Sequence, residues 1–271
     1  MKGGGISKIL NLILVSNGFY FLVNFAWNAA RGEARQYLRE ALSFQRLRDW
    51  LLFNQSPFCE PLWYLNALLY VMAIVLLLDH VGCRKILYWF APILIVADLV
   101  LGKYSIFIFG QYFPNILTRN WLFVGLPNVA TGMMIREYKV IERTCTYRKQ
   151  LMIICGSLSA GLIIEHLLLK CSRIQAERDN YIFVELLAVA TFVAFAQSKE
   201  NASILLNKAA ELGRKCSTGV YVTHPFFIML LSAFFELVGL ERVFTILKPI
   251  VVFMVSVVAT GSMMCLKRIR L

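Results

Sequence analysis

Eight apolar runs, at about 9–30, 61–79, 85–102, 121–135, 150–170, 181–197, 218–238 and 245–266, divide the sequence, and charged residues bracket each one. A bilayer core takes roughly 20 residues of helix to cross, so runs of this length point to a chain that folds in lipid. Composition agrees. Of 271 residues, 59% are hydrophobic and only 16% charged, whereas soluble domains carry about 25% charged residues. So little polar surface cannot coat a water-soluble domain. The pattern predicts an all-α, polytopic transmembrane helix bundle of about eight spans, with residues 1–271 forming a single membrane domain. The fourth run is short and contains Gly125, Pro127 and Gly132. It reads as a discontinuous or kinked helix, tolerated where a cavity or a neighbouring helix satisfies the freed backbone groups.

Charge sets the expected orientation. With both termini in the cytoplasm, sixteen of the 28 Lys and Arg residues fall on the inner side, including the dense stretches Arg136–Lys149, Lys199–Lys215 and Lys267–Arg270. Cytoplasmic segments carry such an excess. The net charge of +12 therefore reports topology rather than nucleic-acid binding. The first run, Ile9 to Trp27, outlasts the about 7–15 apolar residues of a signal peptide and reads as a retained helix.

The segment Glu33–Phe53 differs in kind. Tyr37, Ala41, Phe44, Leu47 and Leu51 recur at helical spacing, with Arg35, Arg39, Arg46 and Arg48 between them. This pattern predicts a helix lying in the outer interface with its apolar side toward lipid.

Ionisable groups within apolar runs cost free energy and usually face a partner or a wet cavity. Asp98, Glu165, His166, Glu185 and Glu236 are such groups, each expected toward the outer end of its helix. They point either to a shared polar vestibule or to separate excursions toward the surface, with Glu185 the one deep enough to face the bundle. His224 lies about two turns into the seventh run, on its cytoplasmic side, directly before Pro225. Proline has no N–H to offer its turn, and an imidazole beside such a break can serve as a general base, or as a hydrogen-bonded packing group. The seven cysteines form no CxxC pair and no metal-ligand spacing; Cys59 and Cys171 are both expected to face outward, where a disulfide is feasible. There is no phosphate loop, no GxSxG and no HExxH. Any chemistry must gather groups from separate helices.

Three stretches, in order, resemble acyltransferase family 3. Pro61-Leu62-Trp63-Tyr64-Leu65-Asn66-Ala67-Leu68 is similar to the family's Leu-Trp-Phe-Leu helix opening. Arg119-Asn120-Trp121-Leu122-Phe123-Val124-Gly125-Leu126-Pro127 is similar to its Arg-then-Phe-Gly-hydrophobic-Pro helix start. Ser217-Thr218-Gly219-Val220-Tyr221-Val222-Thr223-His224-Pro225 is similar to its Tyr-hydrophobic-x-His-Pro element. The membrane domain of membrane-bound serine racemases shares the same likeness. The resemblance implies a multi-pass protein of the plasma membrane that moves an acyl group, commonly acetyl, from cytoplasmic acyl-CoA to a hydroxyl of an envelope glycan. It implies no permanently bound cofactor and no metal, with acyl-CoA as co-substrate and the bilayer and the glycan acceptor as partners. By this likeness His224 is a candidate base, and Trp63 and Arg119 are candidate substrate-binding residues; Glu185 joins them by its depth. Arg136, Arg143 and Arg148 are candidate partners for the CoA phosphates.

One departure bears on activity. The family's first helix carries the histidine thought to act as base, whereas Lys8-Ile9-Leu10 resembles the approach to the family's third helix, and no histidine precedes His80. The base is lost, is supplied by another chain, or lies upstream of this start. A small-solute transporter or flippase, and a non-catalytic partner subunit, are the competing readings.

Overall fold

The computed structural model describes residues 4–172, 174, 180–197 and 204–269, and every described regular element is helical. The elements are α1 (Gly4–Ala30), α2 (Ala34–Ala41), α3 (Phe44–Phe53), α4 (Trp63–His80), α5 (Ile86–Leu101), α6 (Ser105–Phe109), α7 (Leu126–Glu137), α8 (Val140–Thr144), α9 (Arg148–Cys171), α10 (Ile182–Ala196), α11 (Ile204–Leu237) and α12 (Glu241–Ile269). Among the described residues, five stretches are long and apolar enough to cross a membrane: Gly5–Ala30, Glu60–His80, Val140–Cys171, Asn207–Leu237 and Glu241–Met264. Helices α5 and α10 are apolar but shorter. The protein is a multi-pass membrane protein. Its outward surface says the same, since Trp89 is 79% exposed and Ile153 69%. Apolar area on that scale is a liability in water and costs nothing against lipid tails. Lys199 and the side chains of Lys267, Arg268 and Arg270 lie outside the described residues.

The chain divides into two compact units. The first comprises residues 1–14 and 35–200. Its core joins α4, α5 and α7 through Val71, Val75, Leu87, Tyr88, Ala91, Leu126 and Ala130. The discontinuity expected in the fourth run takes a specific form: residues Trp121–Gly125 are a π-helical turn that runs directly into α7. Asn120 begins that turn by accepting from the N–H groups of Leu122 and Phe123 at 2.9 and 3.2 Å. The wide turn carries the chain up to Pro127, whose missing N–H falls harmlessly in the first turn of α7. Gly125 permits the approach to α4, because a Cβ there would lie 2.9 Å from Val71 Cγ2.

The amphipathic segment over 33–53 forms two helices rather than one. Ser43 breaks it, adopting extended backbone and capping α3 by accepting from Arg46 N–H at 3.3 Å. Serine competes for backbone groups and favours such caps over helix interiors. The structure holds no disulfide between Cys59 and Cys171.

The second unit comprises residues 15–34 and 201–271. Here α11 and α12 form a hairpin through Gly239, at φ 73°, a left-handed turn that glycine adopts without strain. Phe235 and Phe244 stack at 4.7 Å across its end. Farther along, Gly219 of α11 lies so close to α12 that an added Cβ would collide with Thr260 Cγ2.

Candidate active site

The polar groups of the first unit are largely occupied in tying its elements together. Glu165 of α9 is buried. Its carboxylate accepts from the Tyr104 hydroxyl and from the N–H groups of Ile182 and Phe183, at 2.8 and 3.2 Å for the two amides. Those amides open α10, where Tyr181 offers no side-chain cap, so a carboxylate from another helix satisfies donors a helix start leaves orphaned. Asp98, also buried, accepts from Asn180 Nδ2. Lys103 Nζ sits 4.3 Å from the ring centroid of Tyr181, whose hydroxyl is 2.9 Å from His166 Nδ1. Within the first unit, Asp98 and Glu165 are therefore engaged by protein donors. Asp98 and Glu165 are buried structural acceptors, His166 is exposed beside Tyr181, and Glu236 is exposed near the end of α11.

Trp63 and Arg119 come together in the first unit. The Arg119 guanidinium lies 5.1 Å from the Trp63 ring centroid and donates to Glu60 at 2.9 Å. Asn54 aligns both strips of chain: its Nδ2 donates to Trp63 O at 3.0 Å, and its Oδ1 accepts from Trp121 N–H at 2.8 Å. Asn54 is fully buried in left-handed backbone, φ 55°, a conformation asparagine tolerates better than most residues. Sequence reading passed over it, and its only signal was Asn at the end of an amphipathic stretch. Glu185 belongs to a different element, the first turn of α10, where its charge complements the helix dipole. Arg136, Arg143 and Arg148 are exposed on α7, α8 and the start of α9. Beside them Glu137 accepts from Tyr88 at 2.5 Å and from Arg84 at 2.7 Å. Those two hydrogen bonds, Tyr88 first, hold its carboxyl below the ordinary range.

The second unit holds the third motif. Pro225 lies inside α11, and proline has no N–H to return to the carbonyl four residues earlier, that of Tyr221. His224 Nδ1 sits 2.7 Å from that carbonyl oxygen. A carbonyl only accepts, so Nδ1 is the donor, and in the uncharged form of such a ring the lone pair falls on Nε2. Tyr20 of α1 braces the same turn: its hydroxyl donates to Val222 O at 2.6 Å and accepts from Phe226 N–H at 3.1 Å. Tyr20 is buried, and Phe19 meets Phe226 edge-on at 5.5 Å. Of the three histidines, His80 is exposed at the end of α4 and His166 is exposed beside Tyr181; His224 alone sits half-buried within a helix.

A family model described as an acyltransferase domain matches residues 5–266, nearly the whole chain. The chain belongs to acyltransferase family 3. Among curated proteins and solved structures, nothing matches it. The match takes in all three motifs, including the paired Trp63 and Arg119 and the His224–Pro225 turn.

Proposed function

We propose that this family 3 protein transfers an acyl group, acetyl being the simplest, from acyl-CoA to a hydroxyl of an envelope glycan, with His224 as base. The observation that carries the reading is the Nδ1 bond to Tyr221 O, which leaves Nε2 as the basic nitrogen of a half-buried ring. In the reaction Nε2 takes the acceptor hydroxyl proton and the oxygen attacks the thioester carbonyl. The C–O bond forms, the C–S bond breaks, and the CoA thiolate leaves with the proton returned by the imidazolium. A base so placed contributes on the order of 10²–10⁴ in rate. Tyr20 is the positioning residue for this ring, through its hold on the turn that presents it.

Arg136, Arg143 and Arg148 supply charge for the CoA phosphates, and Arg119 with Trp63 supplies a cation and a ring face for the acceptor. Glu185 is the remaining substrate-side candidate. The chain works as one membrane domain in the plasma membrane, with about eight spans and both ends cytoplasmic. The bias of Lys and Arg supports this orientation.

The test is acyl transfer from radiolabelled acetyl-CoA to envelope material by the full chain, comparing wild type with His224→Ala and Tyr20→Phe. The expected result is label in wild type, a loss of about 10²-fold or more in His224→Ala, and a smaller loss with a displaced pH–rate profile in Tyr20→Phe. Label that persists undiminished in His224→Ala ends the assignment of this base. Absence of label in wild type ends the enzymatic reading.

A further inference from the structure

We propose that the cleft between α2 and α3 binds an anionic, hydroxyl-bearing headgroup presented at the membrane surface. The cleft encloses about 610 Å³ and is lined by Arg39, Glu40, Ser43, Arg46, Asp49 and Gln55, among others. Ligand sites commonly run from about 300 to 1,000 Å³, so it has the size of a binding site.

Its charges are unequal in availability. Asp49 is held by Arg48 at 2.7 Å, and Glu40 accepts from Gln36 Nε2 at 2.9 Å. Among the described residues, the guanidiniums of Arg39 and Arg46 make no ion pair and no side-chain hydrogen bond. Over α2 and α3 four arginines (Arg35, Arg39, Arg46 and Arg48) face two carboxylates, an excess of two positive charges. Two unengaged planar forks beside one cleft suit a phosphate or a carboxylate, which they grip through paired N–H donors. Gln55 adds an amide within reach of ligand hydroxyls.

The same helices dictate where the ligand comes from. Phe44 is 82% exposed and Leu51 64%, on the face of α3 that also carries Leu47. A cleft that presents two unengaged arginines beside an outward apolar stripe matches an amphiphile whose acidic headgroup enters the cleft while its hydrocarbon lies along Phe44 and Leu51. Neither half of that match is served by a neutral soluble sugar.

Binding is read on the full chain in detergent by native mass spectrometry, with phosphatidylglycerol and phosphatidylcholine offered in equal amounts. Phosphatidylglycerol should be retained over phosphatidylcholine by about tenfold, the preference falling to near parity in R39Q/R46Q and surviving in part in R39K/R46K. Soluble glycerol 3-phosphate distinguishes the source: displacement at comparable concentration assigns the cleft to a free anion, and failure to displace assigns it to lipid. No preference in wild type, or an undiminished one in R39Q/R46Q, overturns the proposal. If the double variant does not fold, phosphatidylglycerol must shield Arg39 and Arg46 of the wild type from phenylglyoxal, and unshielded arginines overturn it equally. The readout is binding, so it stands or falls apart from acyl transfer.

Discussion

The two compact units engage their inward polar groups differently. In the first, Glu165 spends its carboxylate on Tyr104 and on two amides of α10, and Asn54 spends its amide on Trp63 and Trp121. In the second, His224 spends one nitrogen on Tyr221 and keeps the other. A buried group whose hydrogen-bonding capacity is used up holds structure. In the proposed mechanism the remaining nitrogen of the His224 ring is the base. Polarity inside a membrane span therefore does not by itself mark a reactive site; the partners decide.

The sharpest way to break this contrast is to remove each group and read stability and activity separately. Glu165→Ala leaves the Ile182 and Phe183 amides and the Tyr104 hydroxyl without their acceptor. Hydrogen bonds to a charged group are worth about 1.5–3 kcal/mol each, so unfolding in detergent should come earlier by about 3 kcal/mol or more. His224→Ala leaves only the Tyr221 carbonyl without its partner, so it should cost less, about 1–3 kcal/mol, while cutting transfer by about 10²-fold or more. The reverse pattern, an inert Glu165→Ala and a destabilised His224→Ala, would erase the distinction between the units.

A smaller effect concerns the second unit's own packing. Gly219→Ala forces a methyl against Thr260, and overpacking of this sort costs about 1–3 kcal/mol. Thr260→Ala removes the colliding methyl and should restore most of the loss in the double variant. A double variant as unstable as Gly219→Ala would place the strain elsewhere.

The smallest effect lies at the loop end of the first unit. The Glu137 carboxyl is held below its ordinary range by Tyr88 and Arg84. A group lowered in this way contributes stability above its unfolded pKa and loses it as pH falls through the lowered folded value. Acidification should therefore weaken the link between α5 and α7, and Arg84→Ala should move the Glu137 titration upward when followed by carboxyl NMR. Because Arg84 and Glu137 are solvent-accessible, added salt should shrink the shift. A titration indifferent to Arg84→Ala would remove Arg84 as a cause.

The membrane class and the family were legible along the chain, because both are written in local order. Apolar run length reports lipid crossing without reference to any contact, and the three motifs are contiguous strings. His224–Pro225 was visible for the same reason, since proline subtracts an amide wherever it stands. The fates of Asp98, Glu165 and Glu185 were not visible. Each is an acid near the end of an apolar run, and nothing in such a run says whether the next helix offers an amide, a hydroxyl or water. The break at Ser43 was local but ambiguous, because serine sits acceptably on the polar side of an amphipathic helix until packing decides whether the chain turns there.

By itself, then, the order of residues determined that this chain lives in lipid, which family it joins, and which histidine stands beside a broken helix rung. Only tertiary structure decided that Tyr20 braces its turn and that Glu165 caps α10. The physical reason is reach. Hydrophobic run length and a missing proline amide act within a few residues, whereas a hydrogen bond between positions 20 and 222, or 165 and 182, exists only once distant helices have packed.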